Sequence, residues 1–278
     1  MTVGLYLDPA QQSLLQDKLF VSNTGRHHST MIGCFDYMKH QFERQGVPVH
    51  SADLMPPPNG IDRHLYVSIG NYMNHERLAS RADVIMSAYL VMEPPVVEPL
   101  IYKDLRVAKQ RFKRIYSCVD ADALTEFVGE PVPARALRWP IDYQGVDEAL
   151  WSRTDRRFLI MINMNKLPRL KKHELFTERM RAVEFFSRTG DIDLYGIGWE
   201  RASMRMGRSW PYTMRRLRGV LDNWRDRISP DPLLVAARKV YKGELETKWE
   251  TLSRYDFVLC FENAAMPGWL TEKLFDNL

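Results

Sequence analysis

Short, nearly continuous apolar runs alternate with helical spacings along most of this chain. Residues 3–7 read as a strand. Ile32, Phe35, Met38 and Phe42 then recur at helical spacing, and Gly46 follows as a stop. Residues 47–50 and 65–69 read as further short strands, the second closed by Gly70. The stretch 83–92 begins with a helical character and becomes continuously apolar. Strands with so little alternation, separated by helices, predict a parallel sheet covered on both faces.

Prolines punctuate this pattern. The run Pro56-Pro57-Pro58-Asn59-Gly60 predicts a loop, and Pro94-Pro95 ends a strand abruptly because proline cannot donate to a ladder. Near Trp139-Pro140 the character changes to a polar segment reaching about Arg157. The domain boundary is placed there, giving an N-terminal domain over 1–145 and a second over 146–278. A second α/β pattern follows. Residues 158–162 form a buried-strand run, 179–188 a helix with Ala182, Val183 and Phe186 on one side, and 192–195 and 257–261 two more strands. Thr271 or a neighbour stands as the N-cap of a last helix.

The segment 201–227 breaks the pattern. It holds eight arginines against two acids, Asp222 and Asp226, interleaved with Trp210, Tyr212 and Trp224. It reads either as an exposed connector helix with solvated arginines or as a surface docking anionic lipid or a lipid-linked acceptor. Nucleic-acid binding is set aside, since no recognition motif accompanies the charge.

Composition changes this picture little. With 278 residues the chain can bury a large core and hold two domains, and a net charge of +4 is compatible with an anionic ligand without requiring one. Cys34, Cys118 and Cys260 are odd in number and far apart, so they read as buried thiols in a reducing compartment. The N-terminus lacks the pattern of a signal peptide, and no run reaches the roughly 20 apolar residues that span a bilayer. The expectation is a cytoplasmic protein, with peripheral contact to a membrane left open, or a piece of something larger.

The chemistry concentrates in the last segment. The apolar strand around Phe257-Val-Leu-Cys260-Phe261 runs into Glu262-Asn263. A loop with Pro267 and Gly268 follows, and Trp269-Leu-Thr271-Glu272-Lys273 opens a helix. Polar groups at the carboxyl end of a parallel strand, facing a helix N-terminus, form the usual ligand crevice of an α/β sheet. Free amides and the helix dipole suit a phosphate there, Lys273 adds charge, and Glu272 is placed to accept from sugar or ribose hydroxyls. On spacing alone, a Glu stabilising its own helix beside an exposed Lys remains an equal reading.

The run Tyr-x-Phe-x-x-Cys-Phe-Glu-Asn, followed by Pro-Gly-Trp-x-Thr-Glu-Lys, resembles the signature of the family-10 fucosyltransferases of the α-1,3/1,4 type. Phe257, Cys260, Phe261, Glu262, Asn263, Gly268, Thr271, Glu272 and Lys273 match it, and Trp269 fills its aromatic position. Upstream, Tyr241-Lys-Gly243, Lys248 and Leu252 resemble the lead-in to this strand. Arg179 with Ala182, Val183 and Phe186 resembles the helix supplying a phosphate-binding arginine, and Asp193-Leu-Tyr195-Gly196 with Trp199 the strand and turn after it. Glu93-Pro-Pro95 resembles the catalytic-glutamate loop, and Arg138-Trp139-Pro140 a return segment. The resemblance covers roughly residues 80–278.

It implies an α/β protein of GT-B type, with two Rossmann-like domains facing a cleft, a GDP-fucose donor and an inverting displacement onto an oligosaccharide or lipid-linked glycan. Glu93 is then the catalytic base, with Glu98 its nearest rival. Arg179 and Lys273 hold the diphosphate. Glu262, Asn263, Thr271, Glu272, Tyr195 and Lys248 complete the donor site, and Trp269 walls it. No metal and no tightly bound cofactor is expected. The pairs Asp120-Ala-Asp122 and Asp191-Ile-Asp193 are short enough to be accidental, and Asp193 already belongs to the Tyr-Gly turn. Gly196-Ile-Gly198 lacks the rest of a dinucleotide fingerprint, and His27-His28 reads as a polar loop pair. Another nucleotide-sugar donor, or a non-catalytic nucleotide-sugar binder, stays open, as does the oligomeric state. Family members continue beyond the position of Leu278, so a fragment or a truncated product is expected.

Overall fold

The computed structural model describes residues 3–21, 30–60, 62–138, 147–206 and 212–275. His27-His28 and Trp139-Pro140 lie outside them. The chain divides into two compact units. One comprises Met1–Asp142 and Met266–Glu272, the other Tyr143–Ala265 and Lys273–Leu278. The second domain anticipated from sequence runs unbroken to 278, whereas residues 266–272 group with the first unit.

The first unit is built on a six-stranded sheet of β1 (Val3–Pro9), β2 (Val49–Ser51), β3 (Arg63–Ile69), β4 (Val84–Val91), β5 (Arg114–Ser117) and β6 (Ala134–Ala136). All pairings are parallel, in the order β2-β1-β3-β4-β5-β6. This is the doubly wound order in which the chain reverses direction across β1 and β3. Helices α1 (Thr30–Glu43), α2 (His75–Ala79), α3 (Pro99–Arg111) and α4 (Ala121–Val128) connect the strands. The start of α3 is set by Pro99, whose missing N–H costs nothing at a first helical position. The end of α4 is set by Gly129 at φ +80°. The whole of 84–91 is strand, because Met86, Ala88, Tyr89 and Val91 are all buried against neighbours. The helical onset read into 83–92 is therefore absent, and a turn takes its place.

At the carboxyl end of β1 the first unit buries a carboxylate. Asp8 is 1% exposed and accepts from the Tyr66 hydroxyl at 2.6 Å and the Asn71 amide at 2.9 Å. Burial raises its pKa, and these donors partly offset the shift.

The second unit opens with a helical turn, α5 (Glu148–Trp151), capped by Asp147. Its sheet joins β7 (Arg157–Ile162), β9 (Ile192–Tyr195), β11 (Tyr241–Gly243) and β12 (Tyr255–Val258) in the order β11-β9-β7-β12, again all parallel. A two-residue pair, β8 (Lys166–Leu167) and β10 (Met204–Arg205), stands beside it. The helices are α6 (Phe176–Ser187), α7 (Tyr212–Ile228), α8 (Pro232–Val240), α9 (Lys248–Leu252) and α10 (Glu272–Phe275). Alternation along β7 sends Leu159 and Met161 to one face, under Met180, Val183, Leu234 and Ala237 of α6 and α8. Ile160 and Ile162 go to the other face, with Tyr195, Leu252 and Tyr255. The protein is thus α/β with parallel sheets in both units.

Asp193 of β9 is the polar centre of the second sheet. It is 3% exposed and is held by Arg157, by Lys242 at 3.4 Å and by the Tyr255 hydroxyl at 2.6 Å. That hydroxyl is in turn pushed up in pKa, first by burial and then by its bond to Asp193. Tyr255→Phe strips one donor from a buried carboxylate and is expected to cost about 1–2 kcal/mol. Equilibrium denaturation checks this, and an unchanged unfolding midpoint would count against the network.

Candidate functional site

The sequence-identified site residues fall into two sets. In the second unit, β12 stops at Val258, three residues short of the expected strand 257–261. The Leu259 amide still donates to Ile160, but the chain then leaves the sheet and is caught by another partner. Leu175 donates from its amide to the Asn263 carbonyl at 3.2 Å, and Ala265 donates to the His173 carbonyl at 2.8 Å. The loop before α6 thus holds 263–265 by main-chain bonds, and the strand pattern yields to them.

Arg179, in the first half of α6, faces the same segment. It is 3% exposed, stacks on Phe176 with its guanidinium 4.6 Å from the ring centroid, and donates from one terminal nitrogen to the carbonyls of Phe261 and Glu262, both at 3.4 Å. Its Nε has no hydrogen-bond partner among the described residues. Burial pulls its pKa down to about 10, while Cys260, Glu262 and Glu174 work the other way. A guanidinium held this dry, with a donor to spare, favours negative charge nearby. Lys273 approaches from α10, its Nζ 3.3 Å from the Glu262 carboxylate, and its carbonyl accepts from the Cys260 thiol at 3.4 Å. Arg179, Lys273, Glu262 and Asn263 are therefore brought together at the carboxyl end of β12.

Two expected members of this set stand elsewhere. Tyr195 packs with Leu252 of α9 and Tyr255, on the sheet face opposite the one that α6 covers. Lys248 starts α9, where its ammonium lies 5.2 Å from the Trp249 ring centroid. The placement of Tyr195 follows from the period of β9, which sends neighbouring residues to opposite faces. The described residues of α10 are Glu272–Phe275. Arg179 and Lys273 supply the cationic side chains at this strand end.

In the first unit, Glu93 follows β4, as expected, on the loop leading to α3. The Tyr102 hydroxyl donates to its carbonyl at 3.0 Å. Its carboxylate acts electrostatically on the Cys118 thiol just beyond β5, which burial first, and Glu93 next, push up to about 12. Glu272 adds to that shift and Arg138 opposes it. Glu93, Arg138 and Glu272 thus all lie within electrostatic reach of Cys118, just beyond the carboxyl end of β5.

Segment 266–272 is fixed by the turn before it. The Asp120 amide donates to the Pro267 carbonyl at 3.0 Å, and Trp269 donates to the Met266 carbonyl at 3.1 Å. Gly268 sits at φ +78°, where a Cβ would meet an Asp120 carboxylate oxygen at 2.2 Å. Trp269 is 7% exposed, its Nε1–H without a partner among the described residues, and Thr271 is 2% exposed. The Pro-Gly-Trp run therefore anchors a turn over the start of α4. Sequence reasoning weighed Asp120 only as half of an Asp-x-Asp pair, and its contact with a residue nearly 150 positions away left no local signal. Asp193 of the other pair is occupied by Arg157, Lys242 and Tyr255.

The thiols correct another expectation. Cys118 is buried and Cys34 intermediate, but Cys260 is exposed, because it lies beyond the end of β12 where the sheet no longer covers the chain. No family model matches this chain, and no characterised protein matches it, so the family resemblance rests on the residues quoted above.

Proposed function

We propose that this protein is an inverting glycosyltransferase of GT-B type that transfers fucose from GDP-fucose to a hydroxyl of a glycan acceptor. The observation that carries the reading is the convergence of Arg179 and Lys273 on Glu262 at the carboxyl end of β12. A diphosphate leaving group gathers negative charge as the glycosidic bond breaks, and two cations fixed in advance stabilise that charge without reorganising. Lys273 exchanges its contact with Glu262 for a phosphate oxygen, and Glu262 and Asn263 turn toward donor hydroxyls. Arg179 fixes the 261–262 carbonyls and offers Nε. In the first unit, Glu93 takes the proton of the attacking hydroxyl, with Glu272, Trp269 and Thr271 shaping the approach. The reaction needs no metal ion on this reading, and the acceptor is an oligosaccharide or a lipid-linked glycan on the cytoplasmic side of a membrane.

Calorimetry against GDP, GDP-fucose, GDP-mannose and UDP-sugars tests the donor. Guanine nucleotides are expected to bind, and preference for a UDP-sugar would remove the fucosyl reading. Lys273→Ala deletes a charge-assisted contact, so it is expected to weaken GDP binding by about 2 kcal/mol, roughly thirtyfold in Kd. Unchanged affinity in that variant would end the diphosphate assignment.

A further inference from the structure

Over its described side chains, those of residues 217–228, helix α7 is polar where it meets the protein and carries an apolar stripe where it meets solvent. Its sequence, YTMRRLRGVLDNWRDRI, carries five arginines and two acids. Asp226 is side-chain bonded to Arg238 of α8 at 2.5 Å, and Asn223 accepts from the Ala202 amide at 2.9 Å. These bonds turn one side of the helix inward. The opposite side presents Leu217, Val220, Leu221, Trp224 and Ile228, each between 62% and 67% exposed. Their spacing of three, four and seven places them in one stripe along the helix. Five large apolar side chains in line, left in water, make an arrangement that asks for a covering surface.

Charge decides what covers it. At 100° per residue, Arg218 and Arg225 lie along one edge of the stripe and Arg227 along the other, and all three are exposed. The acids offset only part of that rim: Asp226 is committed to Arg238, and Asp222, on the inner side, pairs at 3.9 Å with Arg218, which leaves the exposed Arg225 and Arg227 to set the charge of the two edges. A second copy packing stripe to stripe would set arginine rim against arginine rim, the reverse of the paired charges that flank helix–helix seams. A surface dense in negative charge with an apolar interior meets both features at once. Trp224 and the aliphatic side chains enter the acyl boundary, while the arginines extend to the headgroups. We propose that α7 is a lipid-docking helix that seats this protein on an anionic membrane surface. The inference is independent of the donor reading, since nothing in it involves nucleotide or sugar.

The test is flotation of the full chain with vesicles of phosphatidylcholine alone or with about one quarter phosphatidylglycerol, in low and high salt. Binding is expected to the anionic vesicles only, and to weaken as salt rises. Leu221→Glu with Trp224→Glu, both at exposed positions, is expected to lower the partition by about tenfold or more, with circular dichroism and GDP affinity unchanged. Arg225→Glu with Arg227→Glu serves as a second, independent variant and is expected to remove the preference for anionic lipid. Failure of the wild type to float, or equal flotation of the Glu variants, would overturn the proposal. So would sedimentation showing a dimer that the Leu221/Trp224 variant dissociates while neither protein binds vesicles, because the stripe would then belong to a second copy.

Discussion

Gly196→Ala is expected to destabilise the second unit by about 3 kcal/mol or more, a large fraction of the roughly 5–15 kcal/mol that holds a domain folded. Gly196 follows β9 at φ +130°, a conformation that side-chain-bearing residues rarely adopt. A Cβ there would stand 1.9 Å from the Asn163 carbonyl oxygen and 2.6 Å from its carbon. These are backbone atoms, so no side chain can swing away. Nor can the backbone yield easily. The Asn163 carbonyl accepts from the Trp199 indole at 2.8 Å, its amide donates to Tyr195, and the Gly196 carbonyl accepts from the Tyr241 hydroxyl. Moving the strand ends apart breaks several of these bonds together. Gly190→Ala separates strain from contact, since Gly190 also has positive φ, +76°, but nothing lies within 4 Å of its Cβ position. That variant is expected to lose only about 1 kcal/mol. Urea denaturation followed by tryptophan fluorescence reads both, and equal losses would show that close approach at Asn163 contributes nothing.

The sequence makes Gly196-Ile-Gly198 a fragment of a nucleotide fingerprint and sets it aside, but offers no reason for the first glycine. The reason is a carbonyl 33 residues upstream, and it exists only once β7 and β9 are paired. The strands themselves are legible, because β1, β4 and β7 carry long apolar runs and buried parallel strands need no alternation. Elements set by distant main-chain bonds are not. The apolar run through Phe261 continues past Val258, yet the loop before α6 captures it and the strand ends early. The site shows the same division. Arg179, Glu262 and Lys273 meet because a motif residue and a helix residue both address one strand end. The family resemblance groups Tyr195 with them, although its parity on β9 sends it to the other face. Parity was available from the sequence, since Leu194 and Tyr195 cannot face the same side of a sheet.

If the protein is the fucosyltransferase proposed above, with Glu93 as its base, Glu93→Gln is expected to lower the rate of fucosyl transfer by about a hundredfold to ten-thousandfold while leaving GDP affinity within about twofold. The amide keeps the size and hydrogen-bonding reach of the side chain, so the loop between β4 and α3 retains its anchor, the Tyr102 bond to the Glu93 carbonyl. What it loses is the capacity to receive a proton from the attacking hydroxyl. The substitution leaves Arg179 and Lys273 untouched, and those side chains belong to the second unit. Donor binding and chemistry therefore separate in this variant, as an interaction made only in the transition state requires. Release of GDP from GDP-fucose, to water and to glycan acceptors, gives the rate, and calorimetry gives the affinity. The rival base is Glu98, which immediately precedes α3 and whose amide donates to the Pro94 carbonyl at 3.1 Å. Glu98→Gln is expected to change the rate by less than about tenfold. If the two variants exchange places, Glu98 is the base and Glu93 only shapes its loop. If both retain full activity, proton transfer to a carboxylate of this loop is no part of the mechanism. Glu93, Arg138 and Glu272 then act only as charges within reach of Cys118, just beyond the carboxyl end of β5.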